Sequence, residues 1–79
     1  MINSRTEYKA RLDAVILYMH EHLAGEIDLA ELSRVAGFSP FHFHRLFSSL
    51  TGETPQQYLM RMRLEMAATM LVKYFGYSI

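Results

Sequence analysis

All four glycines and both prolines of this 79-residue chain fall at the edges of helical patterns and none inside one, which restricts it to short helices joined by tight turns. Gly25, Gly37, Gly52 and Gly76 each follow a stretch of helical apolar period, while Pro40 and Pro55 each follow a hydroxyl residue, Ser39 or Thr54. Proline's fixed φ suits the first helical position and the preceding hydroxyl can accept from a free amide, so each pair marks a helix start. β-branched residues are too scattered to suggest strands. Cysteine is absent, which removes disulfide staples, thiolate metal sites and thiol nucleophiles together. A chain this short has room for one small domain and one core. The expected fold is all-α, a small helix-turn-helix bundle of about four helices with the last one long.

Ser4-Arg5-Thr6-Glu7 reads as a capping box opening the first helix, in which Ser and Glu satisfy each other's free amides. Tyr8, Leu12, Val15, Ile16, Met19 and Leu23 then share one stripe until Gly25, with Glu7 and Arg11 as a solvent-side pair one turn apart. Asp28 with Glu31 repeats the capping arrangement. Leu29, Leu32, Val35 and Ala36 mark one face of a second helix of about two turns, closed by Gly37. A third helix starts at Pro40 and closes at Gly52. Thr54-Pro55-Gln56-Gln57 supplies cap, N1 proline and a Gln at N3, and nothing breaks the last helix before Gly76.

The formal charge is zero, yet it is unevenly spread. Residues 1–32 hold three basic and six acidic side chains, residues 33–79 five basic and two acidic, so the halves carry −3 and +3. That asymmetry allows one face to meet an anion. No stretch is long and apolar enough to span a membrane, and the first residues lack an apolar signal core, which predicts a cytoplasmic location and no membrane partner.

A short helix, the turn Gly37-Phe38-Ser39 and a second helix make a helix-turn-helix. Leu32 and Ala36 face inward, Ser33 is small where the helices approach, and Phe38 plugs the corner. On the next helix Phe43, Leu46, Phe47 and Leu50 form the core face by their spacing, which leaves Pro40, Phe41, His44, Arg45 and Ser48 outward. That set lacks Glu and Lys and offers an aromatic, an imidazole, a guanidinium and a hydroxyl. Arginine can bond bidentately to guanine and an apolar ring can meet a thymine methyl, so Arg45 and Phe41 are the leading base-reading candidates. The N-terminus of the last helix, at Thr54 and Gln56, offers amides and a positive dipole end to a phosphate.

The string from Leu32 through Gly37-Phe38-Ser39-Pro40 to Phe47, then Thr51-Gly52-Glu53-Thr54-Pro55, and Arg63-Leu64-Glu65 before Ala67-Ala68, resembles the first half of the AraC family DNA-binding domain. The resemblance covers about residues 8 to 79. It implies sequence-specific binding of double-stranded DNA by a transcription regulator, with a recognition helix from Pro40 to about Leu50 in the major groove. It further implies base contacts at Phe41, His44 and Arg45, backbone contacts at Pro40 and Ser48, a connecting helix over about 55–74, and RNA polymerase as a further partner of a full-length regulator. Tyr77-Ser78-Ile79 resembles the start of the family's second helix-turn-helix. We therefore read 1–79 as a single domain, a fragment holding one of two reading heads, its second helix-turn-helix truncated after Ile79. Met1 lies only a few residues before the first helix, as in members whose DNA-binding domain precedes an effector domain.

Other chemistries find little support. His42 and His44, like His20 and His22, stand two apart and diverge by about 200° on a helix, so no metal ligand set and no cofactor is expected. His22 reads as a packed, hydrogen-bonded residue at the core edge. No nucleophile with a base, paired carboxylates or phosphate loop suggests an enzyme. Arg61 reads as solvated, and Arg63 as paired with an acidic group inside the domain. The alternative function is a protein-interaction module, because Met60, Met62, Met66 and Met70, then Tyr74, Phe75, Tyr77 and Ile79, make the last helix rich in adaptable apolar side chains. On either reading the fragment should self-associate through that helix.

Overall fold

Local capping chemistry determines where the helices start. In the computed structural model, which describes residues 4–76, the chain forms α1 (Ser4–Glu21), α2 (Leu29–Ala36), α3 (Pro40–Thr51) and α4 (Pro55–Phe75). Asp28 caps α2 by accepting from the Glu31 amide at 2.7 Å. Ser39 caps α3 by accepting from the His42 amide, and Thr54 and Gln57 form a complete capping box on α4. The capping role expected of Ser4 rests on a side chain outside the described residues, as does the resemblance carried by residues 77–79.

Two expectations about the ends need correction. α1 stops at Glu21, not at Gly25, and His22 to Gly25 form a turn in which Gly25 donates to the His22 carbonyl. Leu23 still packs on the core, but from that turn. The Asp28–Glu31 arrangement closes only one way, because the Glu31 carboxylate is taken by the Tyr18 hydroxyl, which donates to it at 2.6 Å. A tertiary hydrogen bond to a charged acceptor outweighs the reciprocal cap. That bond, more than burial, also pushes the Tyr18 hydroxyl above its ordinary pKa.

The core is small and drawn from every helix: Leu12, Val15 and Met19 of α1, Leu32 and Ala36 of α2, Phe43 and Phe47 of α3, and Leu59 of α4. Each fully buried side chain of this size contributes roughly 1.5–3 kcal/mol relative to exposure, so Phe43 and Phe47 dominate the packing. Leu29 and Val35 were expected on the buried face of α2. They are exposed, and Ser33, its hydroxyl donating to the Ala30 carbonyl, is buried in their place where α2 meets its neighbours.

The turn between α2 and α3 is held from both sides. Gly37 has φ 78°, a left-handed conformation that costs glycine little, and a Cβ there would meet the Arg11 guanidinium at 3.3 Å. That guanidinium donates to the Gly37 carbonyl, lies 4.9 Å from the centre of the Phe38 ring, and pairs with Glu7 at 2.7 Å. Phe38 fills the corner, edge-on to Tyr8 and tilted against His42.

α4 is different. Only Pro55 and Leu59 near its start are buried, and most of its later side chains are exposed. Its 21 residues run about 31 Å, which stretches the molecule to 49 × 24 × 20 Å. The radius of gyration of 14.5 Å exceeds the roughly 11.6 Å of a compact chain of this length.

Candidate nucleic-acid interface

α3 is fixed in rotation by Phe43 and Phe47, both wholly buried, so the opposite side of the helix must face outward. Phe41 is 73% exposed and Arg45 is exposed one turn later, its guanidinium carbon 5.7 Å from the Phe41 ring centre. This is a cation–π stack on the surface, and it holds two otherwise mobile side chains in one arrangement. Among the described side chains Arg11 and Arg61 sit in ion pairs and Arg63 is spent on backbone carbonyls, whereas Arg45 has no ion-pair partner.

The other candidates separate around the helix. Pro40 is exposed at its first position. His44 is exposed too, but on the flank toward α4, where it borders a groove of about 730 Å³ shared with Thr54, Gln56, Met60 and Leu64. Ser48 does not belong to the outward set: its hydroxyl is shielded from solvent and has no hydrogen-bond partner. At 100° per residue Ser48 lies about 20° from Phe41, so the wheel places it outward and local cover, not rotation, shields its hydroxyl. Ser49 is exposed and borders a shallow depression with Phe41, His42, Arg45 and Leu46. Ser49 stands about 40° beyond Arg45 on the wheel, which was the signal available to find it. Leu50, expected in the core, is 54% exposed, because α3 runs past the helices that would cover its last turn.

At the start of α4 fewer amides are free than the helix alone suggests. Pro55 has none, the Gln57 amide donates to Thr54, and the Thr54 amide donates to the Gln57 side chain, so Gln56 keeps the unengaged N–H there among the described residues. Two arginines that looked solvated or acid-paired have other partners. Arg61 grips Glu53 with two bonds, at 2.9 and 2.8 Å, and also reaches Glu65. Its hydrogen bonds hold the Glu53 carboxyl below the usual carboxylate range. Arg63 donates to the carbonyls of Leu23 at 3.1 Å and Gly25 at 2.6 Å, tying α4 to the turn after α1. His22, expected as a packed core-edge residue, is exposed but stacks on Tyr18 at 4.1 Å, its Nδ1 2.9 Å from the Tyr18 carbonyl.

The model of "Bacterial regulatory helix-turn-helix proteins, AraC family" matches residues 19–60, the stretch from the end of α1 through α2 and α3 into α4. The chain belongs to the AraC family. Over 65 residues it is 40% identical to the probable transcriptional regulator LumQ of Photobacterium leiognathi, covering 80% of this chain and 26% of that protein. It is 35% identical over 60 residues to the MmsAB operon regulatory protein of Pseudomonas aeruginosa, covering 76% and 20%, and 36% identical over 66 residues to the transcriptional activator RhaS of Klebsiella pneumoniae, covering 84% and 24%. The chain thus spans about a quarter or less of the length of these relatives. No solved structure matches it. The matched region is the helix-turn-helix of this family of bacterial regulatory proteins, and the relatives named are transcription regulators. No described helix is long and apolar enough to cross a membrane.

Proposed function

We propose that α3 of this AraC family domain lies in the major groove and reads bases through Phe41, His44 and Arg45, with Pro40, Thr54 and Gln56 against the sugar-phosphate backbone. One observation carries the reading: the same helix buries Phe43 and Phe47 completely while Phe41 and Arg45 stand stacked and exposed on its other side. Burial fixes the rotation of the helix and the stack limits the side chains, so less freedom is lost when a duplex docks. Arg45 is suited to the O6 and N7 of a guanine and Phe41 to a thymine methyl on an adjoining base pair. His44, on the flank toward α4, meets bases on that side. Ser48, with its hydroxyl shielded, drops out of the backbone set, and the Gln56 amide takes a phosphate at the dipole end of α4.

With a formal charge of zero and few free cations, a single such head binds weakly and with strong salt dependence. In the complete regulator α4 serves as the connecting helix to a second helix-turn-helix beyond Ile79, the protein works in the cytoplasm, and RNA polymerase is a further partner. Selection from a randomised duplex pool supplies the test. Arg45→Ala is expected to cost about 1–3 kcal/mol on the selected sequence and to relax preference at one base pair, with binding to random DNA little changed. An equal loss on random DNA would make Arg45 a phosphate contact and overturn the base-reading role.

A further inference from the structure

The first turn of α3 is braced from outside its own helix. The corner that precedes it is tied to α2 through its backbone, since the Gly37 amide donates to the Arg34 carbonyl at 3.1 Å and the Phe38 amide to the Ser33 carbonyl at 3.0 Å. The tie to α1 runs through one guanidinium. Arg11 donates from Nη1 to the Gly37 carbonyl at 3.3 Å and from Nη2 to Glu7 at 2.7 Å, and its Cζ stands 4.9 Å from the centre of the Phe38 ring. Phe38 passes the contact on. Its ring lies 4.8 Å from that of His42, in the first turn of α3, and Tyr8 of α1 stands edge-on to Phe38 at 5.6 Å and to His42 at 6.5 Å.

Such a brace bears on how α3 is aimed. Phe43 and Phe47 fix the rotation of the helix, but they stand only one turn apart, about 6 Å, which is a short baseline against tilt. Phe41 lies about 6 Å along the helix from the midpoint between them, so a tilt of about 10° would carry it roughly 1 Å, together with the Arg45 guanidinium stacked on its ring. A hydrogen-bonding fork accepts donor–acceptor distances only between about 2.7 and 3.2 Å. A shift of that size is enough to spoil a bidentate bond to a base.

We propose that Arg11 is a positioning residue for base reading, which sets the tilt of α3 by bracing Gly37 and Phe38 against α1 without itself touching DNA. This role rests on α3 reading bases as proposed above, and it assigns part of the selectivity to a helix outside the helix-turn-helix. The planar guanidinium engages a carbonyl, a carboxylate and a ring face at once, which an ammonium cannot do. Its side chain is 38% exposed, and ion pairs at such positions add little to stability, so its worth shows in selectivity more than in folding. Glu7 already matches its charge, which makes Arg11 a poor phosphate contact.

The readout is the ratio of affinities for a duplex selected from a randomised pool and for random duplex, taken at a temperature where circular dichroism shows each chain folded. Arg11→Ala is expected to lower that ratio about tenfold, within what one bidentate base contact discriminates, with the affinity for random duplex and its salt dependence unchanged. Arg11→Lys should leave the ratio nearly as low. If Arg11→Ala does not fold, Glu7→Ala at its exposed position carries the test, with an expected drop of about threefold. An unchanged ratio in the variant that carries the test, full recovery in Arg11→Lys, or an equal loss on random duplex with a shallower salt slope would each overturn the proposal. Arg45→Ala, measured alongside, separates the two roles. A ratio that falls in Arg45→Ala but not in Arg11→Ala removes the positioning role alone, whereas a ratio untouched by Arg45→Ala removes base reading by that arginine and the positioning role with it.

Discussion

Two helices of this domain expose large apolar side chains, and they do so in opposite ways. α3 shows one aromatic ring, Phe41, covered on one side by the Arg45 guanidinium, on a helix locked into the core by Phe43 and Phe47. α4 shows an uninterrupted apolar strip on a helix rooted only at its first turns, by Pro55, Leu59, Arg61 and Arg63. A mixed polar and aromatic face on a rigid mount suits a polar, patterned partner such as the floor of a major groove, while a plain apolar strip on a projecting rod suits another apolar strip. Exposure by itself says little about partner chemistry. What shares the face, and how firmly the element is held, says more.

The sharpest way to break this contrast is to attack the mount of α3. Phe47→Ala is expected to lower stability by about 3–5 kcal/mol in a urea titration, whereas Leu71→Ala, on the α4 strip, should stay within about 0.5 kcal/mol. Comparable losses at the two positions would mean that α4 is as firmly packed as α3. Next in size is the root of α4. Arg63→Ala should cost about 2 kcal/mol, because two charge-assisted bonds to the Leu23 and Gly25 carbonyls are lost, and amide exchange along α4 should quicken more than along α3. Arg63→Lys should not restore both bonds, since an ammonium lacks the planar fork.

The smallest effect is set by pH. Arg61 lowers the Glu53 carboxyl pKa in the folded state relative to the unfolded chain, so this pair contributes stability that is present above the unfolded value. It is lost as the pH falls through the folded value, when Glu53 takes up its proton. Thermal melts recorded from neutral pH down through the carboxylate range should show that loss, and Glu53→Gln should flatten it without altering DNA preference. An unchanged slope in Glu53→Gln would mean that the pair does not help to root α4.

Much of the architecture was legible because it depends on neighbours in the chain. Ser39-Pro40 and Thr54-Pro55-Gln56-Gln57 start helices where they stand, since a cap needs only its own side chain and an amide three residues on. Periodicity likewise picked out Phe43 and Phe47 as inward and Phe41 and Arg45 as outward. It failed at Leu50 and Ser48, where the helical wheel is uniform but cover is not: α3 outruns its neighbours at Leu50, while Ser48 is shielded at the edge of contact. Arg63 could not be resolved at all, because its acceptors are backbone carbonyls 38 and 40 residues away that every residue possesses.

The amino-acid sequence alone determined the helices, their order, the tight corner at Gly37 and the family pattern, because caps, glycine conformation and apolar period act over one or two turns of chain. Only the tertiary structure decided that Glu31 would leave its cap for Tyr18, that Arg63 would tie α4 to the turn after α1, and that one side of α4 would be left bare. Those outcomes depend on which surfaces meet in space, and burial is a property of the pair of elements that touch, not of either one.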